Sequence, residues 1–194
     1  MENNDDLKVK EALVDYKKRY TYADYLTWDD DKRYELIDGV PYLMSAPTVQ
    51  HQRILGRLFL KIGNFLDGKS CEVFLAPFDV RLNADTSDDT VVQPDIVIIC
   101  DESIMMKTGC ISAPDMVIEV LSPSTSMRDR ALKLELYQRT GVREYWIVDP
   151  EEKFLHTHIL DNGRYYIRCY TENETASVHI LEDCEINLAD VFAE

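Results

Sequence analysis

An α/β fold, a mixed sheet with flanking helices and a C-terminal antiparallel β extension, is predicted by three features of this chain. Residues 91–99 and 116–121 are runs dominated by Val, Ile and Leu and bounded by Asp, Ser and Pro, the pattern of strands covered on both faces. Residues 48–66 instead repeat Ile54, Leu55, Leu58, Phe59, Ile62, Phe65 and Leu66 at helical period. The order helix, three strands, helix, strand then gives a sheet with a helical crossover, followed by a meander.

Taken in order, residues 1–18 are polar and charged and read as a loose tail. Residues 19–194 are expected to form one domain, with its core over about 48–150 and the meander over 151–194. Thr21 caps a short helix to about Trp28. Residues 34–37 and 40–44 form a hairpin on the Asp38–Gly39 turn, with Pro41 marking an edge strand. The long helix 48–66 stops near Gly68, and strands are expected at about 72–82, 91–100 and 115–121 with loops between them. A second helix runs to Thr140, with Ser126 and Asp129 resembling a capping box and Gly141 as its stop. A strand over 144–148 ends at Asp149–Pro150. The meander comprises strands at 153–160 and 164–170 about an Asn162–Gly163 turn, a strand near 176–181, and a closing segment with Leu188, Val191 and Phe192.

The formal net charge of −15 argues against a general nucleic-acid coat protein, because phosphate binding needs cations. Between Arg128 and Arg143, however, five basic residues face two acidic ones, and Arg53, Arg57 and Lys61 form a basic stripe at helical spacing. No apolar run is long enough to span a membrane, and Met1–Asp6 lacks a secretory start, so a cytoplasmic protein without membrane contact is expected. The five cysteines include no C-x-x-C pair and read as small buried hydrophobes in a reducing compartment, in preference to zinc ligands or a disulfide frame. There is no G-x-G-x-x-G, no G-x-x-x-x-G-K-[ST] and no G-x-S-x-G.

The chemistry concentrates in two acids placed inside apolar strands, Asp95 and Glu119. Burying an unpaired carboxylate is costly. If the strands are neighbours and the carboxylates approach to about 5 Å, their repulsion is roughly 3 kcal/mol at an effective dielectric of about 20. A shared proton, a basic partner or a divalent cation must offset it. Mg²⁺ or Mn²⁺ would accept such hard oxygen ligands together with water and a substrate phosphate. Lys133 lies two turns into the following helix, aligned with Asp129 and Tyr137, and its stem can swing back over the strand end; the alternative is an ordinary helix ion pair with Asp129. Glu35 either completes the acidic cluster or pairs with Lys32 or Arg33. Gln93 precedes Asp95 by two and faces the same side on a strand, where it either meets metal-bound water or phosphate, or bonds within the sheet. His51, one turn before Leu55, reads as a partly buried, hydrogen-bonded structural residue.

These residues resemble a known group. Pro94–Asp95, with Glu119-Val120-Leu121 following the Asp by 24 positions, is similar to the PD-(D/E)xK nuclease superfamily. Several segments resemble the Uma-type restriction endonuclease family more closely. They are Tyr34-Glu35-Leu36-Ile37-Asp38-Gly39, Gln93-Pro94-Asp95, the string from Glu119 to Thr125, Asp129 with Lys133 and Tyr137, and the run from Gly141 to Pro150. The resemblance covers about residues 20–192 and implies a restriction-endonuclease-like fold. It also implies metal-dependent cleavage of phosphodiesters, with DNA the expected partner. Asp95, Glu119 and Val120 are the implied metal positions. Lys133 joins Asp95 and Glu119 as an implied catalytic residue, with Glu35 and Gln93 as secondary catalytic candidates. The chain departs from the superfamily at Leu121, where a lysine is expected, and the Uma-type pattern places that lysine at Lys133. A nuclease-like scaffold serving binding or assembly is the alternative function. A homodimer through the C-terminal meander is a further expectation.

Overall fold

The computed structural model describes residues 15, 17–29, 31–122 and 129–193. Among them, a short helix α1 (Tyr22–Tyr25) precedes the hairpin β1 (Tyr34–Ile37) and β2 (Val40–Leu43), and then the long helix α2 (Val49–Leu66). Strands β3 (Glu72–Leu75), β4 (Asp79–Arg81), β5 (Val91–Val92) and β6 (Ile96–Ile99) follow, then the pair β7 (Met105–Met106) and β8 (Gly109–Ile111), then β9 (Met116–Val120). A π-helical turn (Asp129–Lys133) runs directly into α3 (Leu134–Thr140). The chain continues as β10 (Glu144–Asp149), β11 (Phe154–Asp161), β12 (Arg164–Thr171), β13 (Thr175–Ser177), β14 (Glu185–Asn187) and α4 (Leu188–Val191).

Local chemistry accounts for the element ends. The Thr21 side chain accepts from Asp24 N–H while the Asp24 carboxylate accepts from Thr21 N–H, closing a capping box on α1. Thr48 Oγ1 accepts from His51 N–H at 3.1 Å and starts α2. Asp38 and Gly39 turn the first hairpin with φ of 49° and 75°, the left-handed pair that a tight hairpin demands. The expected cap of the second helix, Ser126 with the Asp129 side chain, lies outside the described residues, as does nearly all of the expected tail.

Two six-stranded sheets are ordered β2-β1-β5-β4-β8-β7 and β12-β11-β10-β9-β6-β3, and β13 pairs with β14. The second sheet is antiparallel except at β9–β10. The crossover through α3 makes this one parallel pairing, as expected for a strand–helix–strand unit. Alternation along β9 directs its side chains. Met116, Ile118 and Val120 pack with Ile54, Leu58 and Ile62 of α2, whereas Val117 and Leu121 pack with Leu136 and Tyr137 of α3 and with the first sheet. Glu119 therefore falls on the α3 side.

Several expectations need correction. The strand expected over 72–82 is two strands in different sheets, separated by the turn at Ala76–Pro77. The strand expected over 91–100 is likewise divided at Gln93-Pro94-Asp95, because Pro94 has no N–H for a ladder. The loop expected over 101–113 contains β7 and β8, and β14 supplies a partner for β13 that the sequence pattern did not reveal. Cys71 and Cys100 are joined by a disulfide, contrary to the reading of all cysteines as isolated hydrophobes. They flank the paired residues Glu72 and Ile99 on β3 and β6, so antiparallel pairing brings their Cα atoms to 4.0 Å. Cys110 and Cys184 are buried thiols as expected, while Cys169 is exposed.

Gly109 is required where β8 passes β4. A Cβ there would lie 2.0 Å from the Asp79 carbonyl oxygen and 2.8 Å from its carbon. Gly109→Ala is therefore expected to destabilise the protein by about 1–3 kcal/mol through a forced separation of the strands. Urea unfolding, read as a lowered midpoint at unchanged slope, checks this.

Candidate active site

The site grows from the two ends of the crossover. β9 carries Glu119 toward α3, and the turn entering α3 returns Lys133 over it. Lys133 Nζ lies 2.6 Å from Glu119 Oε1, and Tyr137 Oη donates to the same oxygen at 3.0 Å. Across the gap, β1 presents Glu35, whose Oε1 is 2.8 Å from Lys133 Nζ and accepts the Gln93 main-chain N–H at 3.0 Å. Glu35 is fully buried and Lys133 is 2% exposed. Lys133 is thus a buried cation, and the side chain of Asp129, its alternative partner, lies outside the described residues. The ammonium bridges two desolvated carboxylates, the geometry in which an ion pair is strongly coupled. Burial, and next the charges of Glu119 and Glu35, push the Tyr137 phenol well above its ordinary pKa, so it remains a proton donor to Glu119.

Asp95 emerges at the break before β6. Extending the Ile96–Ile118 pairing by one residue sets it opposite Glu119. Its Oδ2 accepts the Val120 main-chain N–H at 2.8 Å and lies 3.1 Å from His51 Nε2. A carboxylate is an acceptor only, so in this contact the His51 proton resides on Nε2. His51 Nδ1 is buried without a hydrogen-bond partner among the described residues. The Asp95 side chain keeps 19% exposure, and its Oδ1 makes no hydrogen bond among the described residues. Val120 lines the cleft beside it.

Gln93 also lines this cleft, but its amide reaches away from the acids. Oε1 accepts from Arg33 Nε at 3.3 Å and Nη2 at 2.6 Å, while Nε2 donates to Asp79 Oδ1 at 2.8 Å and Tyr25 Oη at 3.1 Å. The strand break at Pro94 explains this, because two-residue alternation does not continue across it. Arg33, weighed in the sequence only as a partner for Glu35, is thus a partner of Gln93.

Asp95, Glu119, Glu35, Lys133, Arg33 and His51 border one cleft of about 160 Å³. Three carboxylates outnumber two permanent cations there, so the cleft attracts cations. Among the described residues, no group of three or more His, Cys, Asp or Glu is disposed to hold a metal ion. Two carboxylates and a main-chain carbonyl nevertheless fit Mg²⁺ or Mn²⁺, which keep several waters and take phosphate oxygens. The open Asp95 Oδ1 is the observation behind that fit.

Four other basic residues are engaged elsewhere. Arg139 pairs with Asp38, Arg143 with Asp115 and Lys61 with Asp190, and Arg57 donates to the carbonyls of Val191 and Ala193. Glu144 is a buried strand acid that the sequence reading did not single out. It accepts from Trp146 Nε1 at 2.7 Å and Ile180 N–H at 2.9 Å, tying β10 to the turn that follows β13, outside the cleft. The place of His51 beside Asp95 was likewise missed. Its position at the first turn of the long helix was the available signal, but its partner lies 44 residues away.

Known proteins agree with this architecture. A relative from Synechocystis sp., the uncharacterized protein slr1290, is 31% identical over 155 residues, covering 78% of this chain and 80% of its own. A crystal structure from Anabaena variabilis, described as a putative nuclease belonging to DUF820, superposes with a TM-score of 0.74 at 18% identity. The superposition covers 90% of this chain and 98% of that one. The nuclease-like mixed α/β fold is thereby shown, and no described helix is long and apolar enough to cross a membrane. Residues 22–189 match the Uma2 family, described as "Putative restriction endonuclease", and the chain belongs to that family.

Proposed function

We propose that this chain is a divalent-metal-dependent endonuclease that hydrolyses phosphodiester bonds of DNA. The observation that carries the reading is the buried Lys133 ammonium, 2.6 Å from Glu119 and 2.8 Å from Glu35, beside the open oxygen of Asp95. Leu121 cannot supply a cation after the strand acid, and Lys133 brings one to the same acid from the helix. Asp95, Glu119 and the Val120 carbonyl would hold Mg²⁺ or Mn²⁺. When bound, such an ion polarises a phosphoryl oxygen and acidifies water.

The chain's own residues prepare the rest. Val120 N–H and His51 Nε2–H fix Asp95 Oδ2, leaving Oδ1 turned to the cleft. Lys133 and Tyr137 orient Glu119 through Oε1. Glu35, anchored by the Gln93 N–H, keeps Lys133 in place, so that its charge faces the position where a phosphate gains negative charge during cleavage. Fixed charges in a largely water-excluded wall stabilise such a transition state without reorganising. The exposed edge strand β12, with Tyr166 and Ile167 facing solvent, is where we place a second copy of the chain.

The alternative, a binding scaffold without catalysis, is favoured by the same triad, because two carboxylates hold Lys133 tightly. Incubation of supercoiled plasmid with Mg²⁺ or Mn²⁺ separates the two. Wild type is expected to nick or linearise the plasmid, and Asp95→Asn to lose about 10²–10³-fold in rate while keeping its fold. Cleavage at equal rates by wild type, Asp95→Asn and Lys133→Gln would discard the assignment. A wild type that neither cleaves nor releases heat on titration with Mn²⁺ would establish the scaffold.

Lys133→Gln has a second consequence. It leaves Glu35 and Glu119 buried without their shared cation, at an expected cost of about 3–5 kcal/mol. Adding Glu35→Gln is expected to recover much of that loss, measurable by denaturant unfolding, without recovering cleavage. Tyr137→Phe keeps the ring packing and removes one donor to Glu119. It is expected to lower kcat about tenfold with KM little changed, and steady-state kinetics on a short duplex would check it.

A further inference from the structure

Arg33 immediately precedes β1, two residues before Glu35, and lines the same cleft as Asp95 and Glu119. It is exposed. Its Nε and Nη2 both rest on Gln93 Oε1, and no carboxylate pairs with it among the described residues. Three other arginines are instead paired with acids. Arg81 is neutralised by Asp88 through two hydrogen bonds, Arg139 by Asp38 and Arg143 by Asp115. In a chain of 36 acidic and 21 basic residues, a cleft arginine held by a neutral amide keeps its full charge.

The holding amide is itself immobilised. Gln93 Nε2 donates to Asp79 Oδ1 and Tyr25 Oη, and Asp79 Oδ2 accepts from Tyr22 Oη at 2.9 Å. Asp79 accepts only, so the Gln93 NH₂ must face it and Oε1 must face Arg33. The Nε–Nη2 edge of the guanidinium is thereby committed, while the outer Nη1–Nη2 edge makes no hydrogen bond among the described residues. That edge is a planar two-donor fork whose geometry matches two phosphate oxygens.

We propose that Arg33 binds a backbone phosphate of the nucleic-acid substrate at the mouth of the cleft, with Gln93 as the positioning residue that aims its guanidinium. The assignment rests on the nuclease reading and adds to it a substrate contact outside the metal positions. It also gives Gln93 a task other than touching metal-bound water. Gln93 serves both sides of the site at once, its main-chain N–H anchoring Glu35 and its side chain anchoring Arg33.

The test is binding of a fluorescein-labelled DNA duplex, followed by anisotropy in Ca²⁺ buffer over a series of salt concentrations. Arg33→Ala is expected to raise Kd about tenfold, as for one charge-assisted contact. It should also flatten the slope of log affinity against log salt by about 0.9, the release of counterions from one phosphate. Arg33→Lys keeps the charge and is expected to retain the slope with a smaller loss. Gln93→Leu leaves the charge unaimed and is expected to weaken binding severalfold at an unchanged slope. In Mg²⁺, Arg33→Ala should raise KM with kcat little altered, and thermal melting confirms that each variant is folded. If wild type binds and cleaves DNA while Arg33→Ala matches it in Kd and slope, the Arg33 assignment is overturned and the nuclease reading stands. If wild type neither binds nor cleaves DNA, the nuclease reading falls and takes this assignment with it.

Discussion

The Lys133 ammonium, shared between Glu35 and Glu119, is the interaction on which the arrangement of the site depends. Three charges removed from water are expensive, and only close contact among them offsets the desolvation. The contacts therefore tie together three separate parts of the chain: hairpin strand β1, central strand β9 and the turn into α3. Packing on both faces of β9 excludes water around them, which strengthens each contact and raises the cost of losing any one. Tyr137 and the Gln93 main-chain N–H complete the shell by donating to the same two carboxylates.

A second constraint is the interruption at Gln93-Pro94-Asp95. A proline inside a long apolar run ends the ladder, so the chain leaves one sheet as β5 and enters the other as β6. The junction between the sheets becomes the floor of the cleft. Asp95 is released from regular pairing there and takes the Val120 N–H and His51 as partners. Gln93 is turned toward Arg33 and Asp79. The proline thus divides neighbouring polar residues between two tasks, one facing the acids and one facing the rim.

The electrostatics follow the same division. Overall charge is strongly negative, and Arg81, Arg139 and Arg143 are each matched with an acid. The cleft wall keeps an excess of carboxylates, while Arg33 at the rim pairs with no carboxylate among the described residues. On the proposed function, a bound cation and the rim arginine would reduce the repulsion between this acidic protein and a polyanion where they meet.

Much of the fold was legible in the chain by itself. Helical period marked α2, the Asp38–Gly39 and Asn162–Gly163 turns marked two hairpins, and apolar runs with embedded acids marked β6 and β9. These signals are local, set by side-chain spacing and by backbone angles that few residues adopt. The sequence also singled out Asp95 and Glu119, because a charge inside an apolar pattern needs a partner, and with them Lys133 by its place in the following helix and Glu35 by its place on the early hairpin. What the partners are was decided by tertiary structure alone. Glu35 meets a lysine 98 positions later, where the local alternatives were Lys32 and Arg33. His51 meets Asp95, Gln93 turns to Arg33, and Cys71 meets Cys100. Each of these contacts joins residues whose separation along the chain carries no record of their proximity. The pairing of β1 with β5 and of β3, β6 and β9, with α2 and α3 packed on opposite faces, brings them within bonding distance.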